Sequence, residues 1–180
     1  MAQLFFNARC FIFINNPAVG DGVRAERTTD GDIIISHRGD IDVGDPNSTR
    51  FAGIHARIEA LGNAPPRNGT ITIDHAGNIT SEWESIFAVV TGNGTINVSS
   101  AGTLTATYGW GHYLFVGVDG DVNLSNSGDI VATYDAIYAQ VGASGTGSGD
   151  ITIVNTGNLT SYQSRGISTQ VSDNGNIRIT

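Results

Sequence analysis

Glycine recurs in pairs held eight residues apart: Gly31 and Gly39, Gly69 and Gly77, Gly94 and Gly102, Gly120 and Gly128, Gly149 and Gly157. Such self-similarity marks a chain built from one small unit used repeatedly. The frames around the pairs read GDIIISHRGDIDV (31–43), GTITIDHAGNITS (69–81), GTINVSSAGTLTA (94–106), GDVNLSNSGDIVA (120–132) and GDITIVNTGNLTS (149–161). A sixth frame, GNIRIT, occupies 175–180.

A third apolar segment follows each pair: Ile54–Ile58, Ile86–Val90, Leu114–Val118, Ile137–Val141 and Ile167–Val171. Val23, Arg24 and Ala25 fit the same segment of a degenerate earlier copy over residues 10–27. Successive frames start 38, 25, 26, 29 and 26 residues apart, and the variation falls after the second glycine. Within each segment apolar residues alternate with polar ones, the period of a strand with one buried face. In the second copy Ile71, Ile73, Ile79, Ile86, Ala88 and Val90 would face inward.

The best-matched segments lie one whole repeat apart, so hairpins between sequence neighbours are disfavoured. Stacking equivalent segments instead sets isoleucine over isoleucine in every ladder. The expected fold is therefore all-β, a β-solenoid of parallel strands with about six coils of three short strands. Each coil must turn corners, where glycine serves by tolerating positive φ or by lacking a side chain. Between the paired glycines, His37, His75, Ser100, Asn126 and Asn155 share one position. They should form a polar ladder from coil to coil.

The formal net charge is −8, from 17 acidic residues against nine arginines and no lysine. That balance repels nucleic acid and anionic lipid. Cys10 is the single cysteine, so neither an intrachain disulfide nor a cysteine-based metal site is expected. No apolar run reaches the roughly 20 residues a membrane helix needs, and no direct membrane insertion is expected. The stretch MAQLFFNARCFIFINN lacks a basic leader region and reads as strand or cap rather than signal peptide. Residues 1–27 are thus expected to hold an N-terminal cap and the degenerate first coil, and residues 28–180 the repeat β-helix with an incomplete sixth coil.

The run of G-x-I-x-I…G-x-I-x-A…I-x-A-x-V turns, with Asn, Thr, Ser and Asp at the corners, resembles the passenger domains of bacterial autotransporters. The resemblance spans about residues 20–180. It implies a right-handed parallel β-helix, displayed at the cell surface of the outer membrane or secreted, and often adhesive. The signal peptide and translocator barrel of that family have no counterpart here, which suits an excised fragment.

Several residue sets could carry chemistry. Trp83, Tyr108 and Tyr134 each fall six residues after a second glycine, and Tyr162 falls five after one. With Trp110, on what reads as a three-residue insertion, they form a candidate ligand strip for a glycan or host-surface partner; corner packing is the plainer explanation. Asp121 and Asp150 are adjacent in a column after the first glycine. They are the acidic pair for the alternative function, a carbohydrate-active β-helix of the polysaccharide lyase or hydrolase type. Turn chemistry also accounts for aspartate there.

Arg38-Gly39-Asp40 spells an integrin tripeptide, but the repeat alone accounts for Gly39 and a polar residue after it. His37 and His75 could share a metal ion near Asp74, although no third ligand is evident and no metal or cofactor is expected. Thr80, Thr105 and Thr160 share an outward column too irregular for ice binding. No catalytic constellation is evident. The expectation is a non-enzymatic structural or adhesive β-helix whose open C-terminal coil, with Ile177 and Ile179 half covered, allows head-to-tail self-association.

Overall fold

The computed structural model describes residues 20–43, 51–62, 64–143 and 146–180. The cap expected over most of residues 1–27 lies outside the described residues, except for its end. Strand β1 (Val23–Arg27) opens the series. Five complete coils follow: β2 (Ile33–Arg38), β3 (Ile41–Val43) and β4 (Ile54–Ile58); β5 (Gly69–Ala76), β6 (Ile79–Ser81) and β7 (Ile86–Val90); β8 (Gly94–Ala101), β9 (Leu104–Ala106) and β10 (His112–Val116); β11 (Gly120–Asn126), β12 (Ile130–Ala132) and β13 (Ile137–Val141); β14 (Ile151–Asn155), β15 (Leu159–Ser161) and β16 (Ile167–Val171). Strand β17 (Ile177–Ile179) closes it. Against the six coils expected from sequence, the described residues form five complete ones with one further strand before them and one after.

Each strand pairs in parallel with the strand three places along, giving sheets of six, six and five strands. The first sheet runs β1-β4-β7-β10-β13-β16, the second β2-β5-β8-β11-β14-β17, the third β3-β6-β9-β12-β15. The chain is a parallel β-solenoid. Val23 pairs with Ile54 and Ala25 with Ala56, and residues 10–19 of the expected degenerate copy lie outside the described residues.

The register makes the core. Ile33, Ile71, Ile96, Val122, Ile151 and Ile177 stack in one column. Ile71, Ile96, Val122 and Ile151 are fully buried, whereas Ile177 is 46% exposed. A β-branched side chain in this column touches its own kind above and below and needs no polar partner. Ile96→Val removes one methylene from the middle of the stack. It is expected to lower stability by about 1 kcal/mol in urea denaturation with the m-value unchanged.

The glycine columns answer to a single contact. A Cβ on Gly102 would lie 2.2 Å from the carbonyl oxygen of Gly77, and one on Gly77 would lie 2.1 Å from that of Gly39. At these corners each backbone sits on the carbonyl below, so a coil requires glycine wherever its neighbour has turned the same way.

One segment differs from the sequence reading. The third strand of the third copy is His112–Val116, not Leu114–Val118: His112 pairs with Ile86, and Leu114 with Ala88. Gly117 belongs to the following turn, where its Cβ would meet the Thr91 carbonyl at 2.3 Å. Gly111 precedes the strand's start, where a Cβ would lie 2.3 Å from the Ile130 side chain. The expected three-residue insertion shrinks to one residue, since Gly102 to His112 is ten positions against nine from Gly77 to Ile86.

Candidate functional site

The polar ladder lies inside the second sheet, where His37, His75, Ser100, Asn126 and Asn155 occupy successive rungs. His37 Nδ1 lies 3.1 Å from His75 Nδ1, so one nitrogen donates and the other accepts. His75 Nε2 lies 3.0 Å from the Gly77 carbonyl, which accepts only, and must carry its proton. Its Nδ1 therefore accepts from His37. Further along, Ser100 Oγ donates to Asn126 Oδ1 at 2.8 Å, and Asn126 Nδ2 donates to Asn155 Oδ1 at 2.8 Å.

Into this row reaches His112, fully buried on the first sheet, with Nε2 3.1 Å from Ser100 Oγ. Because the serine's proton goes to Asn126, the imidazole donates from Nε2. Its Nδ1 is buried without a hydrogen-bond partner. Burial and then the neighbouring His75 push His112 down to about 3; burial and then His37 push His75 down to about 4. Asp74, expected near a metal, points outward and pairs with Arg38. Among the described residues no group of three or more His, Cys, Asp or Glu is placed to hold a metal ion.

A second set of bonds, made by Asp and Asn side chains, runs along the corners in one direction. A side-chain oxygen in one coil accepts from a backbone N–H of the next: Asp32 from Thr70 at 2.8 Å, Asp40 from Asn78 at 2.7 Å, Asn78 from Thr103 at 2.9 Å. Asp121 accepts from Asp150 N–H at 2.9 Å, and Asp150 from Asn176 N–H at 2.8 Å. The candidate acidic pair thus spends one oxygen of each carboxylate on the next coil's backbone. Asp121→Asn keeps that acceptor and should leave stability nearly unchanged, while Asp121→Ala should cost about 1 kcal/mol, measured by denaturation.

The integrin-like tripeptide is drawn into the same network. Arg38 crosses to Asp74, donating to its carboxylate and, at 3.0 Å, to its carbonyl, while Asp40 caps the coil above. Cells bearing integrins are therefore expected to adhere equally to the parent and to Asp40→Glu.

The aromatic strip divides. Trp83, Trp110 and Tyr134 meet at the corner leading into the first sheet: Trp83 and Trp110 edge to face at 6.0 Å, Trp110 and Tyr134 tilted at 4.9 Å, Trp83 and Tyr134 at 6.2 Å. Gly109 makes this possible, because its backbone lies directly on that of Trp83, where a Cβ would be 2.4 Å away. Tyr108 and Tyr162 sit one corner position aside. Tyr108 N–H bonds to Glu82 and Tyr162 N–H to Ala132, and the rings are 57% and 72% exposed.

From Trp110 the aromatic surface continues in a direction the sequence reading missed. Trp110 packs edge to face on Tyr113 at 5.6 Å. Tyr113 stacks between Phe87 at 5.3 Å and Tyr138 at 5.0 Å, with interplanar angles of 10° and 17°, and His55 lies 4.7 Å from Phe87. These four rings are second residues of β4, β7, β10 and β13, and they line the outer face of the first sheet. Burial, joined by the partner ring or a nearby acid, raises the pKa of both tyrosines. Rings stacked flat along the axis turn edges outward, with the Tyr138 hydroxyl donating to Gln140, whereas the Trp83, Trp110 and Tyr134 cluster holds its rings at steep angles.

No family model, curated protein or solved structure matches the chain.

Proposed function

We propose that the chain is a non-enzymatic structural or adhesive β-helix, part of a secreted or surface-displayed, autotransporter-like passenger. Its coils are tied through backbone ladders, corner carboxylates and the internal polar row, which suits a stiff spacer. The observation that carries an adhesive role is the aromatic surface. It runs unbroken from His55 to Tyr138 across four coils and turns the corner through Trp110 to Trp83 and Tyr134. Its rings are half-buried rather than sealed in the core. Such a surface offers a glycan or host-surface ligand a broad contact of low conformational cost.

Trp83 and Trp110 are the only tryptophans, so intrinsic fluorescence reports on this surface alone. Titration with a glycan panel and with host-surface extracts should shift the emission, and Trp110→Ala should abolish both the shift and retention on those surfaces. Unchanged emission throughout would reduce the cluster to packing. Cleavage of a polysaccharide that Asp121→Asn and Asp150→Asn abolish would instead establish the enzymatic alternative.

A further inference from the structure

The outer face of the second sheet carries a shallow furrow of about 330 Å3, crossing four coils along the solenoid axis. One rail is the column Thr72, Asn97, Asn123, Thr152; the other runs from Asp74 through Ser99 and Ser125 to Val154. Its floor is the backbone of Ile73, Val98 and Leu124, whose N–H and C=O groups are spent in the ladder. The furrow's exposed lining is thus mostly apolar, with Thr, Asn and Ser side chains standing along its edges up to Val154.

The rails are also neutral. Asp74 is their single charged residue, and Arg38 pairs with it. Asn123 Nδ2 donates to Asn97 Oδ1 at 3.0 Å, which leaves the Asn97 amide N–H and the Asn123 carbonyl facing outward. The hydroxyls of Thr72, Ser99, Ser125 and Thr152 are bonded to no described residue. The first rail therefore presents a hydroxyl or amide in each of the four coils, at an interval of about 4.8 Å, and the second rail adds a hydroxyl in the two middle ones.

We propose that this furrow binds an uncharged linear polysaccharide lying parallel to the solenoid axis. A pyranose ring combines apolar C–H faces with hydroxyls around its rim, matching a floor without free polar groups between rails of amides and hydroxyls. An extended hexose chain advances by close to one coil spacing per sugar, so the same contacts repeat coil after coil. A polyanion finds cations only at the two ends, Arg38 paired with Asp74 and Arg178 on the rung beyond Thr152, on a chain of net charge −8. A nucleic acid would also lack aromatic faces to stack on. This site is separate from the aromatic surface and does not depend on it.

The test is calorimetric titration of the full chain with neutral β-linked gluco-, xylo- and manno-oligosaccharides, from disaccharide to hexasaccharide, with an oligouronate of equal length as control. Affinity should climb with length until four coils are spanned, and the oligouronate should bind more weakly. Asn97→Ala combined with Asn123→Ala should weaken binding about tenfold, and Ser125→Trp, on the solvent face, should block it. Trp110→Ala should leave it unchanged; thermal melts of each variant confirm folding. Absence of binding by every neutral oligosaccharide would overturn the proposal. So would stronger binding of the oligouronate, or binding lost with Trp110→Ala and kept in the asparagine double variant.

Discussion

Acidification should unfold this protein well before its carboxylates alone would, and His112→Ile should remove much of that sensitivity. His112 and His75 have folded-state values near 3 and 4 against about 6.5 in an unfolded chain. Between those limits the unfolded state binds more protons, so stability rises with pH. It is fully present above about pH 6.5 and is lost as pH falls toward the folded values. His112 alone costs on the order of 3 kcal/mol by about pH 4, and His75 adds a smaller increment. Against a total of about 5–15 kcal/mol this is a large fraction, and it unfolds a chain at the lower end of that range.

Position 112 makes the test clean, because its column neighbours are Ile86 and Ile137. Isoleucine continues that column and removes the imidazole whose Nδ1 has no partner. His112→Ile should match or exceed the parent near pH 7. The gap should then widen by up to about 1.4 kcal/mol for each unit of pH lost below 6.5. Urea midpoints measured across that range give the curves; parallel curves would show that His112 does not titrate with unfolding.

The second large effect sets two glycines of one column against each other. Gly39 and Gly102 both have positive φ, +120° and +108°. An alanine at Gly39 would meet nothing within 4 Å, so only backbone strain of about 1–3 kcal/mol is incurred. An alanine at Gly102 would carry similar strain and would also drive its Cβ into the Gly77 carbonyl. Relief requires that two coils move apart and break their ladder. Gly39→Ala should therefore fold with a lowered melting temperature, while Gly102→Ala should lose more than about 4 kcal/mol or fail to fold. Equal losses would assign the whole effect to φ and none to the stacked carbonyl.

The contrast also shows what the sequence made legible. The eight-residue glycine interval and the isoleucine columns follow from a coil laid on a copy of itself, so each rung repeats its neighbour's steric demand. The polar row from His37 to Asn155 was readable for the same reason. His112 was not: a histidine in an isoleucine column carries no periodic signal, and Leu114, Val116 and Val118 offered a better-looking alternation two residues late. That slip also hid the ladder of His55, Phe87, Tyr113 and Tyr138, since Tyr113 then fell outside its strand. The signal was present, as each ring is the second residue of its segment. Among the candidate residues, Trp83, Trp110 and Tyr134 come together, whereas Tyr108 and Tyr162 stand aside. Equal distance from a glycine fixes a ring's corner only when the intervening turns have equal length. The furrow was invisible because its rails are ordinary Thr, Asn and Ser, which gain meaning only once register aligns them.

Everything rests on register across coils, and backbone NMR reads it directly. In a parallel stack Val122 lies between Ile96 and Ile151, so their amide and Hα protons should give cross-peaks between residues 26 and 29 apart in sequence. Cross-peaks instead joining β11 to β12 or β10 in antiparallel register would contradict the solenoid, and with it both surfaces described on its flanks.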